Sequence, residues 1–171
     1  MTEIIISVVH EGWEAEPASV EAVEKAVAAA LAAHSLPDAV AGRAELGIEL
    51  AGDAAVQVLN SQYRGKDKPT NVLSFPAYEG LAEIRSLPRG EAPVLLGDII
   101  LAYQTVVLEA KDQGKPFLDH LRHLAVHGTL HLLGFDHETD EEAEEMEASE
   151  RRILATIGVA DPYLIESEFP S

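Results

Sequence analysis

The stretch His127-Gly128-Thr129-Leu130-His131-Leu132-Leu133-Gly134-Phe135-Asp136-His137 spaces three imidazoles as H-x-x-x-H-x-x-G-x-x-H. Residues four apart on an α-helix lie one above the other, roughly 6 Å apart along the axis, so His127 and His131 reach one ion together. His123 shares that face one turn earlier, but it lies about 12 Å along the axis from His131, more than bonds of about 2.1 Å can span. The third ligand therefore requires a chain reversal. Gly134 supplies it, because a glycine three residues past the second histidine ends a helix in the left-handed conformation and lets Phe135 and Asp136 carry His137 back to the same ion. A His pair alone is an ordinary surface or core feature; the third His behind a glycine makes it a metal site. Three neutral imidazoles leave the fourth tetrahedral position to water or substrate, as in catalytic zinc, and predict one Zn2+ per chain held by His127, His131 and His137. His120 and His123 lie on the same stripe; His123 is either a neighbour that orients the site or an ordinary core or surface residue. Asp136 either accepts from an imidazole N–H or shapes the turn.

Outward from this motif, 171 residues with 47% hydrophobic and 25% charged side chains fit one domain, residues 1–171, with a sizeable core. There is no cysteine, so a metal must be held by His, Asp or Glu. The longest apolar run, Ala26 to Ala33, is too short to span a membrane, and the N-terminus Met1-Thr2-Glu3-Ile4-Ile5-Ile6 reads as a strand, without the basic flank and long apolar core of a signal peptide. A cytoplasmic protein with no membrane partner is expected. The net charge of −18 opposes phosphate binding on average, but its distribution is uneven. Eight of the thirteen residues from Glu138 to Glu150 are acidic and none is basic, whereas Arg64, Lys66 and Lys68 form a local positive patch.

The hydrophobic pattern alternates strand-like and helix-like segments without an internal repeat. Strands are expected at about 3–10, 44–51, 70–76 and 94–101, each rich in Ile, Val or Leu. Helices are expected at about 19–34 with Ser19 as cap, from Asp53 to near Arg64, at 103–112, at 117–133 carrying the histidines, and from a Thr139-x-x-Glu142 capping box to about Ile157. The reading is an α+β, mixed α/β, single domain: a small mixed sheet of about four strands flanked by about five helices, with the metal site on a helix ending in a Gly turn. Residues 78–93, punctuated by Gly80, Pro88, Gly90 and Pro93, read as a mobile loop.

The second informative segment is Asn60-Ser61-Gln62-Tyr63-Arg64-Gly65-Lys66-Asp67-Lys68-Pro69-Thr70-Asn71-Val72-Leu73-Ser74-Phe75-Pro76, a helix end, a basic turn and a strand. Alone it is a solvated surface turn. Together with Leu96-Gly97-Asp98-Ile99 and the H-G-x-L-H-L-L-G-F-D-H core, it resembles the YbeY family of bacterial zinc-dependent endoribonucleases in ribosomal RNA maturation; Phe135 stands where the family often has Tyr. The resemblance implies a metal held by His127, His131 and His137, and a role for Arg64 in engaging RNA beside it. It also implies precursor ribosomal RNA as substrate, in particular the 3′ end of the 16S RNA, and a role in ribosome quality control. No DNA partner is expected, and the strong acidity leaves room for a ribosome or ribosome-associated protein to supply part of the RNA affinity.

In that setting a three-imidazole ion activates water near pH ~7 and polarises a phosphoryl oxygen, both suited to phosphodiester hydrolysis. Arg64 is the candidate phosphate clamp through its paired donors, and Lys66 and Lys68 add unspecific backbone attraction. Two other readings compete. A zinc peptidase shares the His spacing but needs a glutamate after the first His, where this chain has Gly128. A zinc-stabilised adaptor that only binds the ribosome would keep its function with the open metal position blocked.

Overall fold

A computed structural model describes residues 2–164; Met1 and residues 165–171, part of the expected domain 1–171, lie outside the described residues. Four strands, β1 (Glu3–Val8), β2 (Ala44–Ala51), β3 (Val72–Pro76) and β4 (Val94–Ala102), form one sheet in the order β1-β2-β4-β3. β1, β2 and β4 run parallel, and β3 pairs antiparallel with β4 at the edge. The helices are α1 (Ser19–Ala33), α2 (Asp38–Ala41), α3 (Asp53–Arg64), α4 (Leu81–Arg85), α5 (Tyr103–Asp112), α6 (Phe117–Leu132) and α7 (Asp140–Thr156). This is the expected α+β architecture of four strands and five principal helices, with two short helices added. No helix among the described residues is long and apolar enough to cross a membrane.

The sheet carries two unequal cores. On one face, inward residues such as Leu46, Ile48 and Leu50 of β2 pack with Leu96, Ile99 and Leu101 of β4 against α1 and α6, and α7 closes over both helices. Fully buried aliphatics there, Leu121, Leu130 and Leu132 of α6 among them, contribute about 1.5–3 kcal/mol each. The other face holds a smaller cluster of Val56, Leu73, Ile100 and Ala102 under α3. The inward positions of β4 shift from Leu96 to Ile99 because of a bulge: Glu45 pairs Leu95, but Gly47 already pairs Asp98. Gly97 sits in that bulge at φ 144, and a Cβ there would lie 2.5 Å from the Phe75 carbonyl and 2.8 Å from Leu132, so glycine lets α6 approach the sheet.

Three local expectations are revised. Ser19 does not cap α1: Ala18 stands at the cap position and Ser19 lies inside the helix, because the Glu16–Ala18 turn is already folded and Ala22 N–H donates to the Ala18 carbonyl at 3.0 Å. The stretch 78–93 is pinned. α4 buries Ile84 completely, Leu81 N–H donates to the Leu133 carbonyl at 3.0 Å, and Arg43 donates to the carbonyls of Ala92, at 3.1 Å, and Pro88. α2, α4 and a 3₁₀ turn at Glu11–Ala15 were not expected, since helices this short are unstable alone and form here through buried Val40, Ile84 and Trp13. Thr139, by contrast, caps α7 as expected: its hydroxyl accepts from Glu142 N–H at 3.1 Å.

Candidate metal centre

The end of α6 builds the site by local stereochemistry. Gly134 has φ 98, its N–H donates to the His131 carbonyl at 3.0 Å, and Phe135 N–H donates to the Leu130 carbonyl at 3.0 Å. These paired bonds form a Schellman reversal, which satisfies the last carbonyls of the helix and turns the chain back. Asp136 shapes the turn, since its Oδ1 accepts from His137 N–H at 2.8 Å. The ring of His137 then stacks 5.8 Å from that of His127 and stands 5.2 Å from that of His131. One nitrogen from each of His127, His131 and His137 falls within 4.8 Å of the others.

Hydrogen bonds decide which nitrogens face inward. Nδ1 of His131 donates to the Phe135 carbonyl at 3.0 Å, and Nδ1 of His127 donates to Glu150 at 2.8 Å. Both Nε2 atoms therefore present lone pairs, and they face each other at 3.0 Å. Two facing lone pairs at that distance repel unless a cation lies between them. A tetrahedral ion with bonds of about 2.0–2.1 Å wants its nitrogens roughly 3.4 Å apart, so this donor set fits such an ion with a small adjustment. Burial, with the neighbouring His127 and His137 adding to it, lowers the His131 pKa to about 4, so its imidazole is neutral near pH 7 and free to coordinate.

Behind His127 lies Glu150, a carboxylate with no solvent exposure. It also accepts from His123 Nε2 at 3.3 Å and from the Tyr163 hydroxyl. Burial opposes its ionisation, but the hydrogen bonds from His123 and His127 outweigh burial and hold its pKa down to about 2. The sequence reading missed Glu150 because it ends a run of acidic residues. Its helical phase was the available signal: it follows Met146 by four and precedes Ile153 by three, on the buried stripe of α7. His120 belongs to a separate group, donating to Glu109 at 3.0 Å, which also accepts from Asn71 at 3.0 Å.

The imidazoles open onto a cleft of about 510 Å3 lined by Arg64, Asn71, Ser74, Tyr78, Glu79 and the turn after α6. Arg64 reaches it as the last residue of α3, where Gly65 ends the helix at φ 68. The basic turn is held from behind: buried Asn60 donates to the Lys68 carbonyl at 2.9 Å, and Gln57 donates to the Asp67 carboxylate at 3.0 Å. Lys66 and Lys68 are exposed and do not line the cleft, and among the described residues neither they nor Arg64 form an ion pair. Gly128 is pressed against the sheet, where an added Cβ would meet Ile99 at 3.0 Å and the Ser74 hydroxyl at 3.2 Å. Any side chain at this position would require Ile99 and Ser74 to shift by a few tenths of an ångström.

The family model described as Endoribonuclease YbeY matches residues 9–158. A protein of Azorhizobium caulinodans named Endoribonuclease YbeY is 54% identical over 167 residues, covering 97% of this chain and 99% of its own. Proteins of the same name from Rhodopseudomonas palustris strain BisB5 and Bradyrhizobium diazoefficiens are each 52% identical, covering 95% of this chain and 80% and 85% of their own. A solution structure from Thermotoga maritima aligns with a TM-score of 0.49 and 23% identity over 96% of this chain and 99% of that one. With a family model spanning most of its length and relatives of this similarity, the chain belongs to the YbeY endoribonuclease family.

Proposed function

We propose that this protein is a zinc-dependent endoribonuclease that cuts single-stranded RNA, with precursor ribosomal RNA as its substrate. The proposal extends to maturation of the 3′ end of the 16S RNA and to ribosome quality control. The observation that carries it is the convergence of His127, His131, His137 and Arg64 on one cleft, in a chain about half identical to proteins named endoribonucleases. The three histidines would hold one zinc ion, which supplies Lewis acidity toward a phosphoryl oxygen and activates water at neutral pH.

The chain's own residues bind and orient. Arg64, at the mouth of the cleft, clamps the phosphate through paired guanidinium donors and keeps its charge throughout the reaction. Lys66 and Lys68 attract the RNA backbone from outside the cleft. Glu79, Asp136 and Glu138 also border the cleft, and α7, which begins close by at Asp140, carries seven acidic residues against two basic ones. That field weakens RNA binding by the isolated chain, so the ribosome or a ribosome-associated protein supplies part of the affinity.

The peptidase reading is disfavoured by Gly128, since the position that would carry its general base has no carboxylate and lies close against Ile99 and Ser74. The test is cleavage of a single-stranded RNA and of casein by the same zinc-loaded preparation, with and without a chelator. RNA cleavage lost on chelation is expected; metal-dependent casein hydrolysis without RNA cleavage overturns the reading.

A further inference from the structure

Glu150 is a buried polar group that the packing of the fold does not explain. Its side chain has no exposure, it lies on the inner stripe of α7, and its partners are His127 Nδ1 at 2.8 Å, His123 Nε2 at 3.3 Å and the Tyr163 hydroxyl. Among the described residues no lysine or arginine pairs with it: Arg151, its neighbour in sequence, is turned to Asp161 at 3.0 Å and Glu147 at 3.8 Å. A buried carboxylate whose partners are imidazoles and a phenol lacks a fixed positive charge, and an ion held on the far side of His127 would provide one.

The imidazoles of His131 and His127 are also held differently. The ring of His131 is fixed by a backbone carbonyl of its own turn, whereas the ring of His127 is fixed by a side chain from another helix, twenty-three residues on. Glu150 is in turn closed by Tyr163, which follows α7 and is seated there by the chain around it. Tyr163 N–H donates to Asp161 at 2.9 Å, and the Arg151 guanidinium lies 5.3 Å from the centre of the tyrosine ring.

We propose that Glu150, closed by Tyr163, is a positioning residue: it holds His127 as the tautomer with Nδ1 protonated and Nε2 bare, and strengthens its hold on a divalent ion. The proposal rests on reading the histidine trio as a metal centre. It makes Tyr163, beyond the end of α7, part of the support of the metal site.

The test measures zinc affinity by competition with a chromophoric chelator, and the His127 tautomer by nitrogen-15 NMR of the zinc-free protein. In Glu150→Gln, zinc binding should weaken roughly 10- to 100-fold and the tautomer should become mixed. Tyr163→Phe keeps the carboxylate and should weaken zinc binding by roughly two- to tenfold, with the tautomer retained. Wild-type affinity in a folded Glu150→Gln protein overturns the proposal. If that variant does not fold, unchanged affinity in Tyr163→Phe overturns it instead. A wild-type protein that binds zinc in this way but cuts no RNA refutes the nuclease reading and leaves the role of Glu150 standing; one that takes up no divalent ion refutes both.

Discussion

The two regions that meet at the cleft are built on opposite principles. The histidine turn is over-determined: the reversal after α6 is closed by two backbone bonds, and His127 and His131 each have a committed Nδ1. In the basic turn, Asn60 and Gln57 hold the loop, while the Arg64, Lys66 and Lys68 side chains project without ion-pair partners among the described residues. The difference fits the ligand proposed for each, a metal ion at the histidines and an RNA backbone at the basic turn. An ion with bonds of about 2.1 Å tolerates little positional error, so its ligands must be pre-positioned. A phosphate backbone is attracted over roughly 8–10 Å at ordinary salt, and mobile cations suffice for that. Arg64 stands between these cases, anchored by a helix end yet free at its guanidinium.

Substitutions test that contrast, and the largest effect belongs to the rigid side. His131→Ala removes the central imidazole and should abolish both stoichiometric zinc and RNA cleavage; full zinc retention by metal analysis would show that another residue completes the set. Arg64→Ala should keep zinc content and melting temperature while cleavage falls about 10²–10³-fold, the scale of losing one oriented donor group at a reacting centre. Arg64→Lys should recover part of that rate, because it keeps the charge and loses the paired geometry. Wild-type cleavage by the alanine variant would reduce the basic turn to a solvated loop. Lys66→Ala should act more gently, weakening RNA affinity a few-fold and lowering the slope of log affinity against log salt by about 1, with turnover at saturation unchanged.

The smallest expected effect is on pH dependence. Burial lowers the pKa of His120, more than its bond to Glu109 raises it, and burial with the nearby Arg152 and Arg85 lowers that of His34. The folded protein thus holds fewer protons on these rings than the unfolded chain, which takes them up below about pH 6.5. Their contribution is present above that pH and is lost as the pH falls. The zinc-free protein should melt a few degrees lower at pH 5.5 than at pH 7.5. A flat profile would mean that these rings protonate in place.

The ligand spacing could be read from sequence because it is local: an i, i+4 pair and a glycine three residues on fix their geometry within a turn or two of chain, whatever surrounds them. The strands and five longer helices were legible for the same reason, their periodicity being a property of neighbouring residues. Elements that depend on distant partners were not. α2 and α4 exist because Val40 and Ile84 are buried, and the loop expected to move is tied down by Arg43, some fifty residues before its end. The bulge at Gly97 follows from the register of β2 and from the approach of Leu132, neither of which the Leu96-Gly97-Asp98-Ile99 string contains.

What the sequence by itself determined is the kind of chemistry: three imidazoles at a spacing that converges, no glutamate beside the first, and a positive patch on an acidic chain. Only the tertiary structure decided that Arg64 and the histidines share one cleft, that Gly128 faces the sheet, and that Glu150 stands behind His127. The physical reason is one of range: backbone stereochemistry acts over a few residues, whereas cleft formation and the burial of a charge depend on which distant surfaces the packed core brings into contact.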